Sequence, residues 1–278
     1  MEHLEGRQSI VAALKARQRR FQIILIAQGT HEEKLAELLE LAVSMNVPTR
    51  RVDRRELDAL AHGGSHGGAI AICSAKPRLN GQQLIDLVDS IAGPPLLLLL
   101  EGVDDARNLG FTLRSADALG VHAVLIKKHL WDFDPVEVAR PASGAYERLP
   151  LAQIETVEPL QALQRKGLRL IGCIAGARRT MYDVKLARPT ILAIGGEKRG
   201  LSGAVRKLCD RFITIPTVGP EASSLSLSHA GAIVMAEAMR QRRAPRATDP
   251  SPTPGVENLG AAPSAAATPQ DGAESTRG

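Results

Sequence analysis

Leu96 to Leu100 is a run of five consecutive leucines, closed by Glu101 and Gly102. A strand that is apolar at every position has no face left for water, so it must lie in a sheet covered on both sides. Ile191 to Ile194 reads the same way and ends in Gly195-Gly196. Sheets buried on both faces are parallel and need crossover connections, usually helices. Helical spacing appears where such crossovers are required, at Ala106–Leu119 and again at Ser228–Gln241. Further strands read at Val121–Ile126, Leu168–Ile174 and Phe212–Ile215, with a helix at Val157–Arg165. The chain from 96 to 243 therefore reads as an α/β domain with a parallel sheet.

A smaller α/β unit precedes it over residues 4–75. It alternates a helix at Gln8–Arg17, a strand at Gln22–Ala27, a helix at His31–Met45 and strands at Thr49–Val52 and Gly67–Ser74. Asp53 caps the helix that follows, and Glu56 three residues on completes the pattern of a capping box. Ala75–Gly81 is polar with a Pro and a Gly and reads as a linker, so 76–95 is assigned to linker and helix. From Pro245 onward Ala, Pro, Ser, Thr and Gly dominate, and six of the 17 prolines fall here. Such a segment buries too little to offset its ordering entropy, so 244–278 reads as a disordered tail. Its two arginines face four acids, so the preceding residues hold more than the chain's whole net charge of +5. A basic body suits an anionic partner such as nucleic acid, although solubility alone also accounts for it.

Several classes are excluded. Seven aromatic residues are too few for a sheet that stacks bases in rows. Cys73, Cys173 and Cys209 form no C-x-x-C pair, so no zinc site, metal or disulfide framework is expected. Free thiols fit a reducing, cytoplasmic setting. The first ten residues lack the apolar core of a secretory leader, and no run approaches the ~20 apolar residues of a membrane helix.

Three segments at strand ends could carry chemistry, because open α/β sheets bind ligands there. In the first, Glu101 to Gly120, two acids precede Asn108, Gly110 and a helix holding Arg114. In the second, Leu192 to Ser202, a strand runs into Gly195, Gly196, Glu197 and Gly200. It is neither G-x-G-x-x-G nor a Walker loop, which argues against a nucleotide-dependent oxidoreductase. The third, Ile215 to Ala230, passes from Ile215-Pro216 through Gly219 and Pro220 to Ser224, Leu225, Ser226 and Ser228. Each has a purely structural explanation beside the functional one. Asp105 or Asn108 is a helix cap, the glycines make a turn, and one of the serines caps the last helix.

Taken in order, the three resemble the motifs of the SpoU/TrmH family of S-adenosylmethionine-dependent RNA ribose 2′-O-methyltransferases, in the SPOUT superfamily. Asp105-Ala106-Arg107-Asn108-Leu109-Gly110 with Arg114 is similar to the first motif, D-P-x-N-x-G…R. Ile194 to Ser202 is similar to the second, G-x-E-x-x-G-L-S, and Ile215-Pro216 with Ser224 to Ser228 to the third, I-P…S-L-N-x-S. Arg140 to Ala145 resembles the A-S-x-G-A segment between them. Gly6, Ala12 to Leu14 and His66 to Ala71 resemble a ribosomal-protein-like RNA-binding domain over 4–75. The resemblance covers most of residues 4–242.

It implies a parallel sheet with a trefoil knot near its C-terminal end, S-adenosyl-L-methionine as cofactor, RNA as partner and a homodimer through the knotted domain. It implies no metal and no membrane. Asn108, Arg114, Glu197, Ser224 and Ser226 are then the catalytic candidates. Gly195, Gly196, Glu197, Gly200, Ile215 and Leu225 are the cofactor-binding candidates. The family Arg matched by Arg114 is proposed as general base; a guanidinium almost never deprotonates, so orienting the hydroxyl is the alternative role. Ala106 replaces the first motif's Pro, and Ser226 replaces the third motif's Asn with a shorter side chain. Ribosomal RNA is the expected substrate. Transfer RNA, an antibiotic-resistance role and a non-catalytic RNA-binding or ribosome-assembly protein remain alternatives. Arg17, Arg19, Arg20, Arg50, Arg51, Arg54 and Arg55 are either solvated charges or phosphate contacts.

Overall fold

The computed structural model describes residues 1–62, 66–127, 133–196, 198–219 and 224–243. Glu197 and the 245–278 segment lie outside them. Elements are numbered in chain order among the described residues. The first sheet is built from β1 (Glu2–Glu5), α1 (Arg7–Ala16), β2 (Phe21–Ala27), α2 (Ala36–Ser44), β3 (Thr49–Val52), α3 (Arg54–Leu60) and β4 (Ala69–Cys73). Its strand order is β1-β4-β2-β3, with β4 antiparallel to both neighbours and β3 parallel to β2.

After α4 (Gly81–Ser90) come β5 (Leu96–Glu101), α5 (Ala106–Ala118), β6 (Ala123–Lys127), α6 (Pro135–Ala142), α7 (Ala145–Arg148) and β7 (Leu151–Ile154). Then follow α8 (Glu158–Arg165), β8 (Arg169–Cys173), β9 (Thr190–Gly195), α9 (Gly203–Leu208), β10 (Arg211–Ile213) and α10 (Leu227–Arg243). The six strands run β10-β8-β9-β5-β6-β7, all parallel. The five leucines of β5 are fully buried; Leu96, Leu98 and Leu100 pack into one core layer, Leu97 and Leu99 into the other. Each such burial contributes about 1.5–3 kcal/mol relative to exposure. The chain leaves β5 toward β6 on one side, and leaves β9 toward β10 on the other. The β5/β9 boundary is therefore the topological switch point, where a crevice opens beyond the strand ends.

Three local readings are amended. Residues 31–45 are not one helix: a 3₁₀ turn at Glu32–Lys34 precedes α2, a tightening common at helix starts. Asp53 does cap α3 by accepting from Arg55 N at 3.1 Å, but Glu56 is drawn to Arg50 at 2.7 Å instead of closing a box. A complete capping box forms at α4, between Asn80 and Gln83. The polar 75–81 stretch is pinned down, because Leu79 exchanges backbone hydrogen bonds with Leu151 and Gln153 and Lys76 is buried.

One core layer runs from α1 and β2 of the first sheet to β5 and α5 of the second. A buried polar cluster crosses the same junction. Arg19, read above as a possible phosphate contact, is 5% exposed and holds Glu147 of α7 through two bonds of 2.8 Å. Lys76 Nζ donates to the Glu147 backbone carbonyl at 2.9 Å and to Gln18 Oε1 at 3.2 Å.

Burial pushes the Lys76 ammonium down to about 8, with the Glu147 carboxylate opposing and Arg19 reinforcing the shift. The unfolded chain, titrating near 10.4, then binds more protons than the folded one above about pH 8. Stability from this group accordingly rises with pH above that point. Burial raises the pKa values of Cys73 and Tyr146, the latter to about 12. These act in the opposite sense once their unfolded values, about 8.5 and 10, are passed. The Lys76 contribution is therefore clearest between about pH 8 and 9. Lys76→Met is expected to be more stable than wild type at pH 7 and to lose part of that advantage by pH 9. Urea midpoints at the two pH values measure this; a constant difference would exclude the buried charge as its source.

Candidate active site

The three loops singled out in the sequence lie at the same end of the parallel sheet, following β5, β9 and β10. Asp105 opens α5, its carboxylate accepting from Arg107 N at 2.7 Å and Asn108 N at 3.1 Å. That cap fixes Asn108 in the first turn of α5, half-buried. Asn108 Oδ1 accepts from Ser228 Oγ at 3.2 Å, a bond that joins α5 to the start of α10. Ser226 Oγ lies 3.0 Å from Ser228 Oγ and 2.6 Å from His229 Nδ1. The Ser226 carbonyl accepts from Ala230 N at 2.9 Å, and its Oγ from His229 N at 3.4 Å. Ser226 is thus the residue that caps α10. Asn108, Ser226 and Ser228 form one connected network across loops 120 residues apart.

The loops after β5 and β9 meet backbone to backbone. A Cβ at Gly196 would lie 1.8 Å from the Gly102 carbonyl oxygen, and one at Gly195 would lie 2.1 Å from the Gly200 carbonyl carbon. The turn closes on itself through Gly200 N to Gly196 O at 2.9 Å, with Gly200 at φ +59°. Only glycine fits this contact, because no side chain has room between two main chains. Gly196→Ala is expected to force the two loops apart, lowering stability by about 1–3 kcal/mol. Thermal melts read the effect; a variant matching wild type would show that the loops do not need this contact.

Behind the turn sits Glu101, 3% exposed. Its carboxylate accepts from Ser202 N at 2.8 Å and Ser202 Oγ at 3.0 Å, which anchors the far end of the 196–202 turn to β5. Sequence reasoning did not assign it a role, nor did it find His229. An acid ending an all-leucine strand was the available signal for Glu101. Nothing in the sequence marked His229.

The remaining candidates are placed differently. Arg114 is exposed and makes no side-chain hydrogen bond or ion pair with any described residue. Six residues along α5 from Asn108, it stands about 240° round the helix, away from the Asn108–Ser228 network. It shares its face with Arg107 and the 48%-exposed Phe111. Ser224 is exposed, Ile215 is half-buried, and Leu225 is 39% exposed. Among the described residues, no group of three His, Cys, Asp or Glu side chains could hold a metal ion, and no helix is long and apolar enough to cross a membrane.

A second surface of interest lies on the first sheet. Two adjoining clefts of about 450 and 470 Å³ share Thr30, Lys34 and Gly67. Arg54 lines one, and Arg7 and Arg140 the other. Of the arginines named from the sequence, Arg54 reaches this surface. Arg50 and Arg51 pair with Glu56 and Glu32, as solvated charges do.

Two family models match the chain. One is the SpoU rRNA Methylase family, over residues 95–236; the other is RNA 2′-O ribose methyltransferase substrate binding, over residues 3–79. The chain is similar to the 23S rRNA (guanosine-2′-O-)-methyltransferase RlmB of Pseudomonas aeruginosa, 36% identical over 242 residues, which is 87% of this chain and 97% of that protein. RlmB of Escherichia coli is 34% identical over 242 residues, 87% of this chain and 99% of that one. Among solved structures it is similar to the SpoU methyltransferase AviRb from Streptomyces viridochromogenes in complex with the cofactor AdoMet. That match is 26% identical with a TM-score of 0.73, covering 88% of this chain and 91% of the other.

Proposed function

The chain belongs to the SpoU rRNA methylase family, and on that premise we propose how its residues carry out the reaction. The protein transfers a methyl group from S-adenosylmethionine to a ribose 2′-hydroxyl of ribosomal RNA. The observation that carries this is 36% identity to a 23S rRNA methyltransferase over nearly the full length of both chains. A guanosine of 23S rRNA is the proposed target. Residues 4–75 are proposed to bind RNA through the Lys34 and Arg54 clefts, and residues 96–243 to form the methyltransferase domain.

The glycine contact fits the cofactor. Gly195, Gly196, Gly200, Ile215 and Leu225 would hold it with main chain and apolar surface, in loops too close-packed for side chains at 195 and 196. When bound, S-adenosylmethionine supplies an electrophilic methyl on a positive sulfur that leaves as a neutral thioether. The protein's task is then to position a weak nucleophile in line and to help its proton leave. Asn108 Oδ1 is occupied by Ser228, so its amide N–H groups are what remain to orient the ribose. Arg114 carries a permanent charge and paired donors, which suit it to hold the 2′-hydroxyl and the adjoining phosphate; facing away from Asn108 of its own copy, it would do so at the site of the second copy in the proposed homodimer. Ser226, with Ser228, holds the network at the start of α10, Ser224 would border the ribose, and Glu197 would hold the active-site network in place. The trefoil knot, a homodimer through this domain and a cytoplasmic setting complete the proposal. The exposed Phe111 beside Arg114 is apolar surface that a second copy would cover.

The test is transfer of labelled methyl to undermodified 23S rRNA, with transfer RNA in parallel. Incorporation mapping to a guanosine 2′-oxygen is expected. Transfer to transfer RNA alone, or to another nucleotide, would overturn the substrate assignment.

A further inference from the structure

Five cations converge along the β10 edge of the parallel sheet. Arg169 opens β8, Arg211 opens β10, Arg188 stands just before β9, and Arg179 and Lys185 lie between β8 and β9. With Asp183 they line a pocket of about 280 Å³. Arg169 is half-buried and the other four are exposed.

These charges are poorly balanced. None of the five forms an ion pair with a described residue. Asp183 faces Arg179, but its Oδ2 accepts from Thr180 N and Thr180 Oγ1, both at 2.8 Å. Asp210 attracts Arg169, yet its carboxylate is engaged by Leu170 N at 2.7 Å and Gln164 Nε2 at 3.2 Å. Burial, with repulsion from Arg188 and Arg211, holds the Arg169 guanidinium below its ordinary range. Arg169 Nε is buried without a hydrogen-bond partner, while another nitrogen of the same group donates to the Lys185 carbonyl. Crowded like charges cost free energy that an entering anion would recover. Guanidinium forks match phosphate oxygens in shape as well as charge.

The layout favours a chain of phosphates over a single ion. Arg169 and Arg211 stand at the N-terminal ends of their strands. Arg179 lies at the other end of β10, where its carbonyl accepts from Thr214 N at 2.9 Å, one residue before Ile215. The three residues of β10 span about 10 Å between them. The basic track thus begins beside a proposed cofactor loop and leads away from it along the sheet edge.

We infer that this pocket is a second RNA contact, on the methyltransferase half, that grips phosphodiester groups of the strand leading to or from the modified nucleotide. The inference rests on the ribosomal RNA reading above. In the full chain, Arg188→Gln/Arg211→Gln is expected to raise KM for 23S rRNA about tenfold or more, with the loss falling on KM far more than on kcat. The log–log salt slope of RNA binding should fall by about 1.4, two phosphate contacts at ~0.7 each for single strands. S-adenosylmethionine affinity and the melting temperature should not fall, because repulsion is relieved. Unchanged KM and salt slope, with turnover intact, would overturn the inference and leave the RNA reading standing. A wild-type melting temperature raised by inorganic phosphate and lost in the variant, without any change in RNA affinity, would also overturn it by making the pocket a small-anion site. If wild-type protein neither binds nor methylates ribosomal RNA, the underlying reading fails and takes the inference with it.

Discussion

Glu147→Ala is expected to lower the unfolding free energy by about 3–5 kcal/mol, the largest stability effect of any single truncation considered for this chain. Glu147 and Arg19 are 128 residues apart and their side chains are each 1% exposed. The carboxylate takes both Nε and Nη2 of the guanidinium at 2.8 Å. Arg19 also reaches Glu2 at 2.7 Å and the Ser74 carbonyl at 2.8 Å, and lies 6.0 Å over the Tyr146 ring. Removing the carboxylate strands a guanidinium that cannot shed its proton, beside the buried amine of Lys76. Lys76, losing the carboxylate that opposes its downward shift, can release its proton, whereas Arg19 keeps its charge with Glu2 as the remaining acid. The pair itself need not be worth that much, because desolvation offsets most of its attraction. Arg19→Met/Glu147→Leu should accordingly recover most of the loss. Urea unfolding of the three variants decides it: a single-variant cost under about 1 kcal/mol would show that water reaches the cluster.

The parts of this fold that were legible are those fixed by local burial. Leu96–Glu101 matches its strand end for end, because every-position apolarity can be read residue by residue. β1 was missed because Glu2-His3-Leu4-Glu5 has one apolar residue; only its pairing with β4 makes it a strand. α6 was missed for a different reason. It contains Pro141, which ordinarily argues against a helix interior. Here a Cβ on Gly110 of α5 would lie 2.4 Å from the Pro141 ring and from the Val138 carbonyl oxygen. Gly110, read from the sequence as part of a binding loop, serves to let two helices approach. The same limit applies to the site. Each loop could be read as a helix cap or a turn, and Asp105, Ser202 and Ser226 do act as caps. What single segments could not show is that Asn108 and Ser228 meet, since that depends on α10 folding back over α5.

Arg114→Ala is expected to reduce methyl transfer by about 10²–10³, the size of effect that removing one well-placed donor to a reacting oxygen produces. Its position makes this an unusually clean test. Arg114 is exposed and bonds to no described side chain, so within one protomer truncation removes no packing and strands no partner. The melting temperature should therefore stay within the change typical of a surface substitution, ~0.5 kcal/mol or less. S-adenosylmethionine affinity should also hold, because the cofactor contacts proposed above come from the other two loops. Arg114→Lys keeps the charge but loses the planar fork. It should recover RNA affinity more than turnover if the guanidinium orients the hydroxyl and phosphate together. Equal recovery of both would assign Arg114 to charge alone. Full activity in Arg114→Ala would remove it from the reaction, leaving the Asn108–Ser228 network as the group that addresses the ribose.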